Sequence, residues 1–594
     1  MEEIAAEPLL PANPTAETPK DFDPETMRTE KPGLKRLFLI FTVFLSFILG
    51  FPFLWKTVEI YRSPLPFADM ETLSEEIETD PLRFPCRFQA VFFHSGSGSG
   101  SDLDPDSLRS MLLEEISNFA PGTPRCGSCF GNFTLSVVVD DGECRRSGPS
   151  SLYKCGAIGA IDFESGDEGR IDEVLESAVG GGKTYTVVVV VGGGRVRAVV
   201  GKYRHAWVIA REDGEVTGMV AEIFAKVFVD GGIEEGSINS GFIPVGADGS
   251  IVLSFNLLNA DPHDWVYDWD FRSVDETLLA PVIEALAPIA NISVESQVLY
   301  HTPKSSFSSW NEKLQSHVFS TRDLPFFVNS NEWHLDTSTA AGGRSKILQF
   351  VVYIPSAREC PLLLQLPSGE MSSTNGFISP MWGGVMVWNP NCSMISGSKL
   401  PSRNVLSSED LEKVLGVFMG QLRQLVGLKS SRSYNGVSGT FSLLASERGF
   451  TEWELDFLSR QHTCFNLHSS ATTLGSLSRL VQSLPRMIIT DEIGKQVKVS
   501  LEAARQAQIN ASLGVYDASA VSSRQARSLA EDAFFHPSIM SVSYYSFEHC
   551  FAVYSPFFLP VLVHVIQATI KECKRYRKEK AKYLLWKSRT KVAS

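Results

Sequence analysis

The sequence predicts an α/β lumenal domain, a mixed sheet with flanking helices, followed by a mainly helical lumenal region, the whole bracketed by two transmembrane helices. Three observations predict this. Two uncharged apolar runs stand near the chain ends, strand and helix signals alternate over most of the stretch between them, and strand signals thin out after residue 404. At 594 residues, 43% hydrophobic and 21% charged, the chain is long enough for several domains, and disorder is not its default state.

The first run, LFLIFTVFLSFILGFPFLW at 37–55, carries no charge over nineteen residues and would span about 28 Å as a helix. It is too long for a signal-peptide core, and no small-x-small cleavage site follows before Lys56. The second run, FAVYSPFFLPVLVHVIQATI at 551–570, holds Pro556, Pro560, His564 and Gln567, which predicts packing against other helices in the membrane. A basic segment follows it at once. The last 24 residues hold ten Lys or Arg against Glu572 and Glu579, a net +8, while the net charge of the whole chain is −14 and residues 1–36 sum to −3. Basic flanks stay in the cytosol, so the C-terminus is expected there, and two spans return the N-terminus to the same side. The expected segments are a disordered cytosolic tail at 1–36, a first span at 37–55, a lumenal α/β domain at 56–404, a mainly helical lumenal region at 405–550, a second span at 551–570 and a basic cytosolic tail at 571–594. The body between the spans is acidic, with a net charge of −19, which argues against nucleic acid as its partner.

Placing the body on the oxidising side makes two further residue classes readable. Asn132, Asn291, Asn391 and Asn510 each open an Asn-x-Ser/Thr sequon and are candidate glycosylation sites. Nine cysteines (Cys86, Cys126, Cys129, Cys144, Cys155, Cys360, Cys392, Cys464 and Cys550) lie between the spans and are candidates for disulfides of unknown pairing, with an odd one left over. Cys126, Cys129, Cys144 and Cys155 also permit a four-thiolate zinc reading, to which disulfides are preferred in such a compartment.

Within the body, strands are expected at 84–93, 134–139, 185–191, 206–211, 251–256, 296–301, 348–354, 362–366 and 384–388, and helices at 105–119, 217–228 and 275–290. From Ser408 a long amphipathic stretch carries apolar residues at helical spacing between Leu411 and Leu428, and 451–460, 470–484, 490–509 and 516–533 also favour helix.

Three segments of this body approach catalytic motifs without completing them. Gly180-Gly-Gly-Lys183-Thr184 resembles the end of a phosphate-binding loop, but Ser177 stands where the first glycine is required and the β-branched run follows the loop, so a glycine-rich turn is the better reading. Asp140 and Asp141 end a valine run in the manner of a metal-binding Asp-x-Asp, with Gly142 in the second Asp position; a strand running into an acidic turn explains them as well. His263, Asp264, Asp268 and Asp270 crowd into DPHDWVYDWDF and offer carboxylates for a hard cation, although alternation with Trp265, Tyr267 and Trp269 fits a half-buried strand. His-Glu-x-x-His and Gly-x-Ser-x-Gly signatures are absent from the sequence. No residue is assigned to catalysis, a cofactor or a metal. The alternative kept open is a lumenal membrane-anchored transferase or hydrolase acting through Asp140 and Asp141 or through Asp264, Asp268 and Asp270.

Several blocks, taken in order, resemble one family from end to end. They are ILGFPFLWKTVEIYRSPLPF (48–67), SFNLLNADPHDWVYDWD (254–270), NISVESQVLYHT (291–302), SPMWGGVMVWN (379–389), TEWELDFL (451–458), AEDAFFHPSIM (530–540) and the second span with its prolines and basic tail. The chain is similar in these to the PIG-S family, with Leu54 in place of a tryptophan in the first block and with 94–105 and 121–205 matching least. The resemblance implies a non-catalytic subunit of the GPI transamidase of the endoplasmic reticulum membrane, which attaches preassembled GPI anchors to precursor C-termini. It implies PIG-K, PIG-T, PIG-U and a GAA-type subunit as partners, with the catalytic cysteine in PIG-K, a lipid environment and no cofactor.

Overall fold

The computed structural model describes the chain from Leu34 to Val592 except 59–61, 95–103, 121–124, 142–143, 148–152, 162, 164–165, 180–181, 193–195, 212–215, 234–241, 330–331, 338–343, 393–402, 485–486 and 541–546. The expected N-terminal tail lies almost wholly outside these residues. The chain divides into two compact units, one of residues 1–62, 486–488 and 541–594, the other of residues 63–485 and 489–540.

Among the described residues the larger unit holds two large sheets, with a three-stranded and a two-stranded sheet beside them, where the sequence suggested a single layer. In the first, His205–Ala210, Thr184–Val191, Cys86–His94 and Phe133–Asp140 lie side by side and parallel, with Ala90 opposite Val137 on one side and Val187 on the other. The run of valines in Thr184–Val191 reads as apolar throughout because both faces are covered: Val187, Val189 and Val191 enter one core, Val188 and Val190 the other. Helix Pro105–Asn118 covers the first face with Leu108, Leu112 and Ile116, and helix Glu168–Val179 covers the second with Ile171 and Leu175. Asp104 caps the former, accepting from the Ser107 amide at 3.1 Å.

The second sheet runs Gly376–Ser379, Gly383–Val387, Lys346–Ile354, Ser250–Asn259, Asn291–Tyr300, parallel except for its first strand. Leu257 faces a core shared with helix Ser408–Leu425 through Val414, Phe418 and Leu422. Leu258 faces the opposite core, with Phe319, Leu362 and Leu364 of a small three-stranded sheet (Ser309–Asn311, Ser316–Ser320, Leu362–Gln365). The helix expected at 275–290 starts earlier, at Phe271, under an Asp270 cap, and widens into a π turn at Asp275–Leu279 before Ala280–Leu286. Pro281 cannot donate to the preceding turn, and the widened turn accommodates its ring.

After residue 404 the chain is mainly helical, yet Ser433–Asn435 and Thr440–Leu443 return to the edge of the first sheet, where Thr440–Leu443 pairs parallel with Arg197–Val200. The wholly buried Phe441 and the carboxylate of Glu222, which accepts from the Val437 and Ser438 amides at 2.8 and 2.7 Å, hold that return in place. Helices Glu452–Ser483, Asp491–Ser512 and Tyr516–Phe534 then form a bundle. Its interior is built of small residues, among them Ala504, Ala507, Ala526 and Ala530, and Ser500 and Ser519 donate across it to the Ala526 and Ala507 carbonyls.

In the smaller unit, helix Leu34–Val58 carries exposed Phe38, Leu39, Phe41 and Leu49. Helix Phe547–Val592 runs unbroken for 46 residues through Pro556 and Pro560 and on into the basic tail. Among the described residues one helical segment, Ala552–Ser588, is long and apolar enough to cross a membrane. Part of the first apolar run falls outside the described side chains; what the structure gives there is its helix. The bracketing by two spans is therefore taken up below as a proposal.

Candidate functional site

Strand order directs attention to the ends of the two sheets, because ligands of open α/β layers gather beyond the carboxyl ends of the strands. At the amino end of the first sheet, Glu452, Asp456 and Arg460 stand one turn apart on one face of the long bundle helix. Asp456 accepts from Arg204 Nε at 2.6 Å, from Arg204 Nη2 at 2.9 Å and from the Tyr185 hydroxyl at 3.0 Å, and Glu452 accepts from Arg204 Nη1 at 2.6 Å. Burial, and then the Asp456 carboxylate, push the Tyr185 phenol well up, so it donates as a neutral group. Burial opposes the Arg204 charge, but Asp456 and Glu452 outweigh it and raise its pKa. Arg460 is wholly buried; it donates to the Phe228 carbonyl at 2.8 Å and points Nη1 at Cys129 Sγ at 2.6 Å. These groups are consumed in docking the helix bundle onto the sheet.

The carboxyl end of the same sheet carries Asp140 and Asp141. Phe133–Asp140 ends where the strand-into-acidic-turn reading places it. Asp140 is buried, accepts from the Tyr153 hydroxyl and from the Gly156 amide at 3.0 Å, and so fixes the loop 153–156; Asp141 pairs with Arg145 at 3.0 Å. Of the glycine-rich segment at 180–184, Gly180 and Gly181 lie outside the described residues; helix Glu168–Val179 precedes the segment and strand Thr184–Val191 follows it, the reverse of the strand-to-helix order of a phosphate-binding loop, and Lys183 lies 3.6 Å from Asp517.

The cluster at 263–270 lies beyond the carboxyl ends of the second sheet, and its carboxylates diverge. Asp264 accepts from the Ala357 amide at 2.7 Å, Asp268 pairs with Arg403, and Asp270 caps the following helix. Only Val266–Asp268 is strand, and Trp265 is buried with its indole N–H on the Pro355 carbonyl at 3.1 Å. His263 stands instead with Asp261, two residues before it in the same segment, and with His301, which the sequence did not single out because it arrives only through the pairing of strands Ser250–Asn259 and Asn291–Tyr300.

The cysteines meet as Cys86–Cys129, Cys126–Cys464, Cys144–Cys155 and Cys360–Cys392. Cys126, Cys129, Cys144 and Cys155 thus enter three different bridges and do not surround one point, which removes the four-thiolate zinc reading. The Cys550 side chain lies outside the described residues, and Cys573 is free and exposed. Of the sequon asparagines, Asn132, Asn291 and Asn391 are exposed, whereas Asn510 is half-buried inside helix Asp491–Ser512 with its amide 3.4 Å from the Ser522 hydroxyl.

The family model described as phosphatidylinositol-glycan biosynthesis class S protein matches residues 41–579. The chain belongs to the PIG-S family. It is 27% identical over 565 residues to the mouse GPI-anchor transamidase component PIGS, covering 94% of this chain and 97% of the relative. The fission yeast GPI transamidase component PIG-S homolog is 24% identical over 92% of this chain and 85% of its own length. The budding yeast GPI transamidase component GPI17 is 24% identical over 55% of this chain and 58% of its own. One of the blocks on which the PIG-S resemblance rests, TEWELDFL at 451–458, turns out to be the docking face: Trp453 donates to the Gly201 carbonyl at 3.1 Å, Glu454 pairs with Arg423, and Asp456 holds Arg204.

Proposed function

We propose that this PIG-S family chain is a non-catalytic scaffold subunit of a GPI transamidase in the endoplasmic reticulum membrane, with PIG-K, PIG-T, PIG-U and GAA-type subunits as its partners and the catalytic cysteine in PIG-K. The observation that carries the reading is the match to proteins named as transamidase components along nearly the whole chain. The use of the acidic groups supports the non-catalytic part: Asp140, Asp264, Asp268 and Asp270 each hold a loop, an arginine or a helix end. In this reading residues 56–404 and 405–550 form the lumenal body, eight of its nine cysteines serve the fold as four bridges, and the exposed sequons Asn132, Asn291 and Asn391 take glycans in preference to Asn510.

Two spans with both termini in the cytosol belong to the same proposal. The two long helices pack against each other, and Arg36, near the start of one, lies 3.4 Å from Glu572, far along the other. Such a contact is what an antiparallel pair with its basic flanks on one side would make, and it supports the reading in which retention of Lys and Arg keeps both termini in the cytosol.

The test is expression of the tagged chain in cells lacking their own copy of the subunit. Co-purification with a cysteine-protease subunit from detergent-solubilised membranes, and restored surface GPI-anchored proteins with Asp140→Ala, Asp264→Ala, Asp268→Ala and Asp270→Ala, are expected. Recovery of the chain alone would sink the assignment to the complex. Assembly with complete loss of anchoring in one of the four variants would replace the scaffold reading with a catalytic one.

A further inference from the structure

Strands Ser250–Asn259 and Asn291–Tyr300 are parallel neighbours whose last residues, Asn259 and Tyr300, stand opposite each other. The chain leaves both at the same end of the sheet, so positions forty apart in sequence emerge side by side. Asp261 and His263 follow the first strand and His301 the second. One ligand atom from each lies within 4.8 Å of the other two.

The frame under the three side chains is fixed. Asn259 is wholly buried; its side-chain oxygen accepts from the Tyr267 amide at 2.8 Å and its nitrogen donates to the Tyr267 carbonyl at 3.0 Å, which closes the loop carrying Asp261 and His263. The buried Thr302 hydroxyl donates to the Asn259 carbonyl at 2.9 Å and ties down the residue after His301. Asp264 holds the outer half of the loop to Ala357. Above this frame the donors themselves face solvent, the His263 side chain being 80% exposed. Asp261 Oδ1 lies 2.8 Å from His263 Nδ1, and the two imidazoles stand edge to face with centroids 5.6 Å apart. The segment 261–270 carries four aspartates and no lysine or arginine, so its field favours a cation.

We infer that Asp261, His263 and His301 bind one divalent transition-metal ion of the zinc type, with solvent in the remaining position. Two imidazole nitrogens and one carboxylate oxygen are the donor set of zinc and its neighbours, whereas calcium and magnesium demand oxygen ligands throughout. The cation takes the place of the hydrogen bond between His263 and Asp261. The site does not depend on the transamidase assignment, since it uses this chain's residues alone.

The test is made on the full-length chain, purified in detergent through a tag without histidine and stripped with a chelator. Titration with zinc against a chromogenic chelator is expected to show one equivalent bound. Cobalt is expected to give visible bands of a four- or five-coordinate ion. His263→Ala with His301→Ala should weaken this binding at least about tenfold, and Asp261→Asn should weaken it less. Because the three side chains lie at the surface, the variants should unfold as the parent does in chelator, so a loss of binding reads on the ligands. Equal zinc uptake by the parent and the double-histidine variant, or no uptake by the parent, would overturn the site.

Discussion

The amino end of the first sheet and the carboxyl end of the second both concentrate ionisable side chains, and they use them in opposite ways. At the first, Arg460 is 0% exposed and Asp456 satisfies an arginine and a tyrosine at once. At the second, Asp261, His263 and His301 lie in the open with coordination capacity to spare. A buried ion pair contributes through geometry, because removing one partner strands the other in a medium that cannot solvate it. An exposed cluster costs little to keep, and what it offers is a ligand site. The contrast separates residues that assemble this protein from residues that can meet something else.

The strongest way to break that comparison is Asp456→Ala. It leaves Arg204 and Tyr185 at the docking face without their shared acceptor, and a loss of about 3–5 kcal/mol is expected in denaturant unfolding of the detergent-solubilised chain. A loss under about 1 kcal/mol would mean that the junction is not what joins the helix bundle to the sheet. Next comes the Cys126–Cys464 bridge, which ties the segment before strand Phe133–Asp140 to the long helix across 338 residues. Cys126→Ser with Cys464→Ser should remove about 2–4 kcal/mol, and unchanged unfolding in reducing and non-reducing buffer would count against it. Asp140→Ala is expected to cost about 1–3 kcal/mol by leaving the Tyr153 hydroxyl and the Gly156 amide without an acceptor, with transamidase assembly retained on co-purification.

Much of the frame was legible because its strands are unusual in pattern. Val187–Val191 is buried on both faces, so an uninterrupted β-branched run marked it, and the small-residue helices of the bundle showed their period plainly. What was not legible depends on which strands become neighbours. One layer was expected where two large sheets exist, since local pattern carries no information about sheet membership. The return of Thr440–Leu443 to the first sheet depends on a pairing with residues 243 positions earlier, Phe441 opposite Ala198. The same reason hid His301, whereas Asp261 lay in plain view two residues before His263. The sequence pointed to His263 with Asp264, Asp268 and Asp270 because they are close along the chain, and the structure keeps the histidine while sending the carboxylates elsewhere. Burial of charge at Arg460 was equally silent, as its partners are backbone carbonyls and a disulfide.

The smallest expected effect is a pH dependence that belongs to the sealed class. His462 is 1% exposed on the long helix, packed against Phe242 with ring centroids 4.6 Å apart, and neither ring nitrogen has a hydrogen-bond partner among the described residues. Burial, with Arg527 and Arg524 adding repulsion, pushes its pKa down to about 3. The unfolded chain takes up a proton near pH 6.5 and the folded chain does not, so this group leaves stability untouched above about pH 6.5 and withdraws it as pH falls from there towards about 3. At pH 5.5 the loss amounts to about 1.4 kcal/mol. Leucine fills a similar volume and cannot be protonated, so His462→Leu should flatten the unfolding profile between neutral and mildly acid pH. If His462→Leu kept the parent's slope, the acid sensitivity would lie outside this part of the sealed interior.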